Sequence, residues 1–446
     1  MEPKDPELLD KIRQQFDSAP YPRIPLEQSP KEDYQSLYIH NLVTPYYLRN
    51  QKVISTEGKV ILDAGCGSGY KSLVLAEANP GARIVGIDIS EESVKLAQQR
   101  LEYHGFTNCE FHVLKIEDLP KLGLEFDYVN ADEVLYLLPD IVAGLKAMQA
   151  VLKPAGIIRS NLHCAFQRAD YFRAQKMFEL IGLMDESPNE VAIELARETL
   201  KSLKDAVLVK QQTQNQRMDS NEGMVANCLL VGDKGFTIPD LFNALRMADL
   251  EFISMVNWRY WELTDLFKSM DDLPAFLAIG LAEASTQEKL YLYELLHPIN
   301  RLLDFWCGHP KVAQPLTEIS TWTDTDWHHV QVHLHPQVGQ EKAREQLVEC
   351  LNTHRPFVIS QYVQLPALTS INLESIQAAS LLPLWDGPQP FSVLVDRWQK
   401  IQPFHPLTLE PTTHVIAFKQ MKALLIGIEA FLYAFLEHSP EKSQEF

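Results

Sequence analysis

Between residues 60 and 160, short apolar runs alternate with stretches whose apolar residues recur at helical spacing. The short runs predict buried strands, and the longer stretches predict helices that cover them. Strands that alternate with helices in this way form a parallel sheet with helices on both faces. The pattern therefore predicts an α/β, Rossmann-like core with strands that begin near residues 60, 84, 110, 126 and 157.

The first predicted strand ends in the sequence Asp-Ala-Gly-Cys-Gly-Ser-Gly, residues 63–69, and a helical pattern follows directly. Glycine is favoured where the backbone turns sharply or where a ligand must lie against bare main chain. In an open α/β sheet, such a turn lies at the carboxyl end of the first strand, which is where ligands bind. Residues 63–69 are therefore the first candidate binding site.

The second predicted strand, residues 84–88, also ends in an acid, Asp88, which lies 19 residues after Gly69. A carboxylate at this distance can accept hydrogen bonds from both hydroxyls of a ribose. The glycines follow GxGxG, not the GxGxxG of the dinucleotide fingerprint, and no phosphate-binding GK[ST] follows. A nicotinamide cofactor and a purely structural glycine turn are the alternatives to a nucleoside site.

Residues 63–69 together with Asp88 resemble motifs I and II of the class I S-adenosylmethionine (SAM) dependent methyltransferases. The resemblance implies SAM as cofactor. An acid after the third strand looks like motif III, whose carboxylate accepts from the adenine amino group; Asp118 is preferred here over Glu117. The implied cofactor-binding residues are Asp63, Gly65, Gly67, Gly69, Asp88, Ile89, Glu117, Asp118 and Asn130.

The fourth strand and its exit, residues 126–136, are similar to motif IV, which lies beside the transferred methyl group in the family. The resemblance makes Asp132 and Tyr136 candidate catalytic residues. A second, weaker resemblance, to bacterial methyltransferases with a regulatory domain, implies a role near the sulfonium for Tyr21. Family members often carry glycine and histidine where Glu133 and Tyr136 stand. A base is needed only if the acceptor arrives protonated, and His163 is a third, weaker candidate for it.

Composition limits the partners. The formal net charge of the 446 residues is −19, which argues against nucleic acid because phosphate binding needs a basic surface. The six cysteines form no CxxC pair and read as reduced thiols, so we expect a cytoplasmic protein without a signal peptide or a membrane-spanning segment. His333 and His335 share one face of a predicted strand, but no further ligand joins them, and no metal site is predicted.

Three domains are predicted. Residues 1–58 form an N-terminal cap over the cofactor and acceptor site, with Tyr21, Tyr46 and Tyr47 as candidate walls of the acceptor pocket. Residues 59–262 form the methyltransferase core, whose sheet closes near Val256 and which carries a helical insertion at about 166–235. The insertion either covers the site or pairs two subunits, so a homodimer stays open. Residues 263–446 form a mainly α accessory domain for substrate or partner binding, for which a winged helix is one arrangement.

Three functions are compatible with these features. The first is methyl transfer from SAM to a small-molecule acceptor, favoured by the aromatic N-terminal segment and the insertion. The second is a protein (lysine) methyltransferase. It draws on a weaker resemblance, through residues 16–21 and 381–387, to bacterial methyltransferases with a regulatory domain and a winged-helix C-terminus. The third is a SAM-binding regulatory protein without turnover.

Overall fold

The computed structural model describes Arg13, Asp17 and residues 21–186, 188–213, 216–313, 316–363 and 370–438. Phe16 and Pro20, which carry part of the weaker resemblance, lie outside these residues. The chain divides into two compact units. The first contains residues 1–28, 58–76 and 82–312, and the second contains residues 29–57, 77–81 and 313–446.

A mixed sheet forms the centre of the first unit, with the strand order β3-β2-β1-β4-β5-β8-β7 and with the short β6 paired to β5. Strands β1 to β6 pair in parallel, and β8 runs antiparallel between β5 and β7. The strands are β1 (Val60–Ala64), β2 (Arg83–Asp88), β3 (Cys109–Val113), β4 (Phe126–Ala131), β5 (Leu152–Cys164), β6 (Gly235–Phe236), β7 (Glu251–Met255) and β8 (Leu302–Gly308). The predicted Rossmann-like methyltransferase fold is confirmed.

The prediction that the sheet closes near Val256 is wrong, because β8 continues it where helical structure was expected. Strand β8 inserts between β5 and β7, so that Phe305 lies opposite both Ser160 and Met255. All but the first of its residues are buried. A strand that is buried on both faces has no alternation of polar and apolar residues, so periodicity alone cannot distinguish it from a buried helix.

Both units contain helices. In chain order they are α1 (Tyr34–Ile39), α2 (Val43–Asn50), α3 (Tyr70–Ala78), α4 (Glu91–Tyr103), α5 (Ile141–Ala150), α6 (Ala169–Leu180), α7 (Glu190–Ser202), α8 (Leu208–Thr213), α9 (Asn221–Cys228), α10 (Ile238–Met247), α11 (Ala275–Glu283), α12 (Thr286–Leu296), α13 (Asp324–Trp327), α14 (Glu341–Asn352), α15 (Ser375–Leu381), α16 (Phe391–Ile401) and α17 (His414–Glu429). Within the described residues, no helix is both long and apolar enough to cross a bilayer.

The predicted helical insertion is present as α6 to α9, and it has a small core of its own. Phe178 of α6, Ile193 and Ala196 of α7, and Met224 of α9 are buried together in a cluster separate from the main core. The main core instead joins the sheet to α5, α10 and α12 through residues such as Leu145. Because the insertion packs largely against itself, its sequence can vary without disturbing the sheet.

The second unit contains an antiparallel sheet of β9 (Val330–Leu334), β12 (Gln389–Pro390) and β13 (Ala434–His438), and β10 (Phe357–Val358) pairs with β11 (Asn372–Leu373). Strand β9 lies where the strand of His333 and His335 is predicted. Helical patterns over 375–385 and 390–402 predict helices, and α15 and α16 lie there. The pattern over 415–438 predicts one further helix, but this prediction is wrong at its end, because the final residues form β13. They pair with β9, so non-local strand pairing overrides their local preference for helix.

The compact units divide the chain differently from the predicted domains 1–58, 59–262 and 263–446. The first unit extends to Val312 because it includes β8. The N-terminal segment is split, with residues 21–28 in the first unit and 29–57 in the second. Tyr46 and Tyr47 are therefore buried inside the second unit, where the Tyr47 hydroxyl donates to Glu429 at 3.0 Å. Their predicted place in the acceptor pocket is wrong.

Candidate active site

The glycine-rich loop after β1 adopts the left-handed backbone that its sequence predicts. Gly65, Gly67 and Gly69 have φ angles of 82°, 50° and 79°. The Gly67 amide donates to Asp88 Oδ2 at 2.9 Å, and the Ser90 amide donates to Asp88 Oδ1 at 2.9 Å. The ends of β1 and β2 therefore meet, and the carboxylate predicted to hold a ribose is fixed beside the glycine loop.

Backbone of the N-terminal segment covers this loop. The Ser68 amide donates to the Tyr21 carbonyl at 2.9 Å, and the Ser68 hydroxyl donates to the Pro22 carbonyl at 2.7 Å. A β-carbon on Gly67 would lie 2.2 Å from the Tyr21 carbonyl oxygen. Glycine at position 67 is thus required by contact with this chain's own backbone, in addition to any contact with a ligand.

Asp63 of β1 and Asn130 of β4 are joined by a hydrogen bond between their side chains. Asp63 is buried and accepts hydrogen bonds from the Ser72 hydroxyl at 2.6 Å and from the Asn130 side-chain amide at 2.8 Å. Burial raises the pKa of Asp63 to about 6, against the effect of these two hydrogen bonds. Both residues hold the ends of β1 and β4 together.

The remaining residues predicted for the cofactor lie around this notch. Ile89 directly follows Asp88 and is half-buried. Glu117 and Asp118 lie in a short 3₁₀ helix, Ile116–Leu122, where Glu117 is exposed and Asp118 pairs with Lys121 at 2.8 Å. Of these two acids, Asp118 is the more sheltered, and both remain predictions as contacts of the adenine.

Asp132 lies in a network of charges. Its carboxylate accepts from Arg159 at 3.0 Å and from the Asn161 amide at 2.7 Å, and it pairs with Lys71 at 3.3 Å. Arg159, which is buried, also binds Asp304 of β8 at 2.7 Å. A carboxylate held by two cations is a weak base, so this geometry does not favour Asp132 as the proton acceptor.

A cavity of about 650 Å³ lies beside the residues that follow β4, and Glu133 and Leu137 are among the residues that line it. Tyr21 and Tyr136, two of the predicted catalytic residues, both line it, whereas Asp132 does not. Helices α7 and α9 of the insertion supply much of its wall, including Ile193 and Glu222. Of the two roles predicted for the insertion, this position favours covering the site.

Glu133 is the most unusual residue of the cavity wall. Its φ angle of 57° is in the left-handed region, which non-glycine residues rarely adopt. The Glu133 amide donates to Asn161 Oδ1 at 2.9 Å, and its carboxylate pairs with Arg301, the residue just before β8. Strained backbone of this kind persists where surrounding contacts fix it, and it is commonly found at functional sites.

His163, at the end of β5, also lines the cavity. Its ring stacks on Tyr136 with 3.8 Å between centroids. His163 Nδ1 lies 2.6 Å from Asp233 Oδ1, and Nε2 lies 3.1 Å from an Arg301 nitrogen. Burial lowers the pKa of His163, although Asp233 opposes this. The imidazole is therefore neutral near pH 7.

Two charged residues of this site were missed at the level of sequence. Arg301 follows a stretch that predicts only helix, and it lies 138 residues from His163. Asp233 lies in the loop before β6, in a region interpreted only as insertion. No local motif marks either residue, because the contacts that define them depend on how β5, β6 and β8 are arranged.

The notch beside Asp88 fits SAM. The Asp88 carboxylate receives one backbone amide at each oxygen, which leaves lone pairs on both oxygens for the two ribose hydroxyls. It is half-buried, and burial raises its pKa. The cavity that contains Tyr21 and Tyr136 lies at the ends of β4 and β5, and Tyr21 joins it to the glycine loop, since the Ser68 amide donates to the Tyr21 carbonyl.

Comparison with known proteins agrees with this geometry. Residues 55–223 match the family described as Methyltransferase domain. An uncharacterized protein from Synechococcus sp. is 26% identical over 318 residues, which are 70% of this chain and 73% of that protein. The structure of PKMT2 from Rickettsia typhi in complex with AdoHcy superposes with a TM-score of 0.58 at 15% identity, over 90% of this chain and 76% of that one. This last similarity shows the fold alone.

Two relatives with a named activity match a smaller share of the chain. The ubiquinone biosynthesis O-methyltransferases of Coxiella burnetii and Actinobacillus pleuropneumoniae are 33% and 30% identical to 29% of this chain. The match spans 53% and 56% of their own lengths. The matched domain and the fold together support a class I SAM-dependent methyltransferase domain, to which residues 55–223 contribute.

Proposed function

We propose that the chain transfers the methyl group of SAM to a small molecule that binds in the cavity lined by Tyr21, Tyr136 and the insertion. The observation that carries this proposal is the cavity itself. Its volume of about 650 Å³ lies within the range of small-molecule sites. Helices α7 and α9 form part of its wall, and such a cover suits a small acceptor better than an extended peptide.

The cavity supplies what methyl transfer needs from the protein. SAM supplies a methyl group on a sulfonium centre that is a good leaving group. The chain must align the acceptor with that centre and exclude water, and proximity and orientation can contribute up to ~7–11 kcal/mol. Tyr21 and Tyr136 present aromatic faces, which suit a cationic centre. The hydrophobic core of the insertion holds α7 and α9 together, and both helices contribute to the wall of the cavity.

The proposal also includes the location of the protein in the cell, its partners and its oligomeric state. All six cysteines are free thiols, which supports a cytoplasmic location. The net charge of −19 supports an acceptor other than nucleic acid, and no membrane partner is invoked. The exposed apolar residues of the insertion, Val191 and Leu195 among them, leave a homodimer open.

The proposal is tested by incubating the purified chain with SAM labelled in its methyl group and with a cell lysate that is then separated into protein and small-molecule fractions. We expect label in the small-molecule fraction. Label on protein alone would favour the protein (lysine) methyltransferase, and label in neither fraction would contradict both. The Asp88→Ala variant should transfer no label, whereas Glu92→Ala, on the exposed face of α4, should behave as the wild type.

A further inference from the structure

We propose that His163, supported by Asp233, is the base that takes up the proton in the reaction. We further propose that the molecule that receives the methyl group does so on an aromatic hydroxyl. This inference rests on the proposed function, because it names the chemical class of the molecule in the cavity. The predicted catalytic residues Asp132 and Tyr136 do not take this role. Asp132 is held by Arg159 and Lys71, and the Tyr136 ring packs against His163.

The hydrogen bonds of His163 define which of its nitrogens can accept a proton. An arginine side chain can only donate hydrogen bonds, so the Arg301 contact at 3.1 Å requires a lone pair on Nε2. Nδ1 then carries the hydrogen and donates it to Asp233 at 2.6 Å. The ring is thus a neutral imidazole with its basic nitrogen on the side of Arg301.

Asp233 is fixed so that it can orient this ring and stabilise its protonated form. Asp233 Oδ2 accepts from Arg168 at 2.9 Å and from Gln175 at 2.9 Å, and its side chain is fully buried. Burial alone would raise the pKa of Asp233, but its hydrogen bond from His163 and the nearby Arg168 bring it below the ordinary value. Arg168 also contacts Asn227 of α9, so the wall of the cavity and the orienting acid share one network.

Arg301 holds the position that a hydroxyl acceptor would take. It bridges His163 Nε2 and the Glu133 carboxylate, and all three residues line the cavity. If the hydroxyl of the acceptor molecule displaces Arg301 from Nε2, the Arg301 guanidinium stays paired with the Glu133 carboxylate. The displacement therefore leaves neither charge without a partner. The left-handed backbone of Glu133, fixed by Asn161, directs this carboxylate to the place where it can do so.

The transfer balances without a further reagent. The hydroxyl proton passes to His163 Nε2 as the oxygen forms a bond to the methyl carbon. The S–CH₃ bond breaks, and its electron pair returns to sulfur, which becomes a neutral thioether. The imidazolium that forms is faced by Asp233, Arg168, Arg301 and Tyr136, with Glu133 behind Arg301. Tyr21 and Tyr136 line the cavity and can pack against an aromatic ring. An aromatic hydroxyl is also more acidic than an aliphatic one, so an imidazole can remove its proton more readily.

The first experiment does not depend on turnover. Diethyl pyrocarbonate acylates imidazole nitrogens that carry a free lone pair, and peptide mapping by mass spectrometry identifies the residue. We expect His163 to react at least ~10-fold faster in Arg301→Met than in the wild type, because methionine has no donor and leaves Nε2 uncovered. His335, which is fully buried in the second unit, should react equally slowly in both. Arg301→Ala, which also lacks a donor, serves if Arg301→Met unfolds. An unreactive His163 in a folded variant would overturn the proposal.

The second experiment measures the pH dependence of labelling in the small-molecule fraction. His163→Gln should lower the rate at pH 7 by about 10²- to 10⁴-fold, and the remaining rate should rise with pH as the hydroxyl ionises in solution. Affinity for SAM, from titration calorimetry, should not change, and His112→Gln on β3 is the matched control. Equal rates for wild type and His163→Gln, or a methylated amine as the product, would overturn the inference and leave the proposed function standing. No label from the wild type would instead contradict the proposed function.

Discussion

The two halves of the proposed active site differ in how far apart their residues lie along the sequence. The cofactor half lies between Asp63 and Asp88, within two strands and one turn that follow each other along the chain. The acceptor half brings together Tyr21, His163 and Arg301 from three distant segments. Its cavity exists only after β8 has inserted beside β5 and the insertion has packed on itself.

This difference shows why methyltransferases can share a cofactor site and differ in acceptor. The glycine loop is stabilised by backbone contacts, such as the amides of Gly65 and Cys66 that donate to the Ile87 carbonyl. The acceptor half is stabilised by side-chain charges, such as the pair Glu133–Arg301. Side chains can change without disturbing the sheet, whereas the backbone of the loop cannot.

The largest expected effect concerns Arg159, which links β5 to Asp132 after β4 and to Asp304 on β8. Arg159→Met should lower the free energy of unfolding by about 3–5 kcal/mol, because it removes the cation that pairs with both Asp132 and the buried carboxylate of Asp304. Arg83→Met on β2 is the control, since it breaks a half-exposed pair with Glu110 on β3 and should cost less than about 1 kcal/mol. Both are measured by urea unfolding. Equal losses would show that the acceptor half does not depend on this charge network.

Asp88→Ala probes the cofactor half. The variant loses the carboxylate expected to hold the ribose, and it leaves the amides of Gly67 and Ser90 without their acceptor. We expect SAM to bind at least ~100-fold more weakly in titration calorimetry, which corresponds to about 3 kcal/mol. An unchanged affinity would show that the notch is not part of the site that binds SAM.

Gly67→Ala tests whether contact within the chain, and not only the left-handed backbone, requires glycine in the loop. The new β-carbon would meet the Tyr21 carbonyl oxygen at 2.2 Å. Gly58→Ala has a similarly positive φ but nothing within 4 Å, so it isolates the cost of the backbone conformation. We expect Gly67→Ala to be less stable than Gly58→Ala by about 2–3 kcal/mol in thermal unfolding. Equal stabilities would mean that the N-terminal segment moves aside at little cost.

The smallest expected effect is the pH dependence due to Asp63, whose pKa burial raises to about 6. Between the unfolded pKa near 4 and this value, the folded state binds more protons than the unfolded state. Stability contributed by the protonated form is therefore present below pH 4 and lost as the pH rises to 6. Relative to Asp63→Asn, the wild type should lose about 2 kcal/mol over this interval in urea unfolding. A difference that does not vary with pH would show that Asp63 is not buried as described.

The cofactor half could be predicted from sequence because its contacts are local. The loop at 63–69, the acid Asp88 and their distance along the chain were enough to predict that the ends of β1 and β2 meet, as the Gly67–Asp88 hydrogen bond shows. Roles of individual residues in binding SAM remain predictions. The acceptor half could not be predicted beyond Tyr21, Tyr136 and His163, because Asp233 and Arg301 become neighbours of His163 only through pairing of β6 and β8 with β5.

Tyr21 takes part in both halves, since its carbonyl binds the Ser68 amide while its side chain lines the cavity. Any ligand that alters the position of the glycine loop must therefore also alter one wall of the acceptor cavity. Thermodynamic linkage then requires the effect to be mutual, so that the acceptor changes the affinity for SAM by the same factor by which SAM changes the affinity for the acceptor. We therefore expect Tyr21 to couple the binding of donor and acceptor, so that the affinity for each depends on the presence of the other.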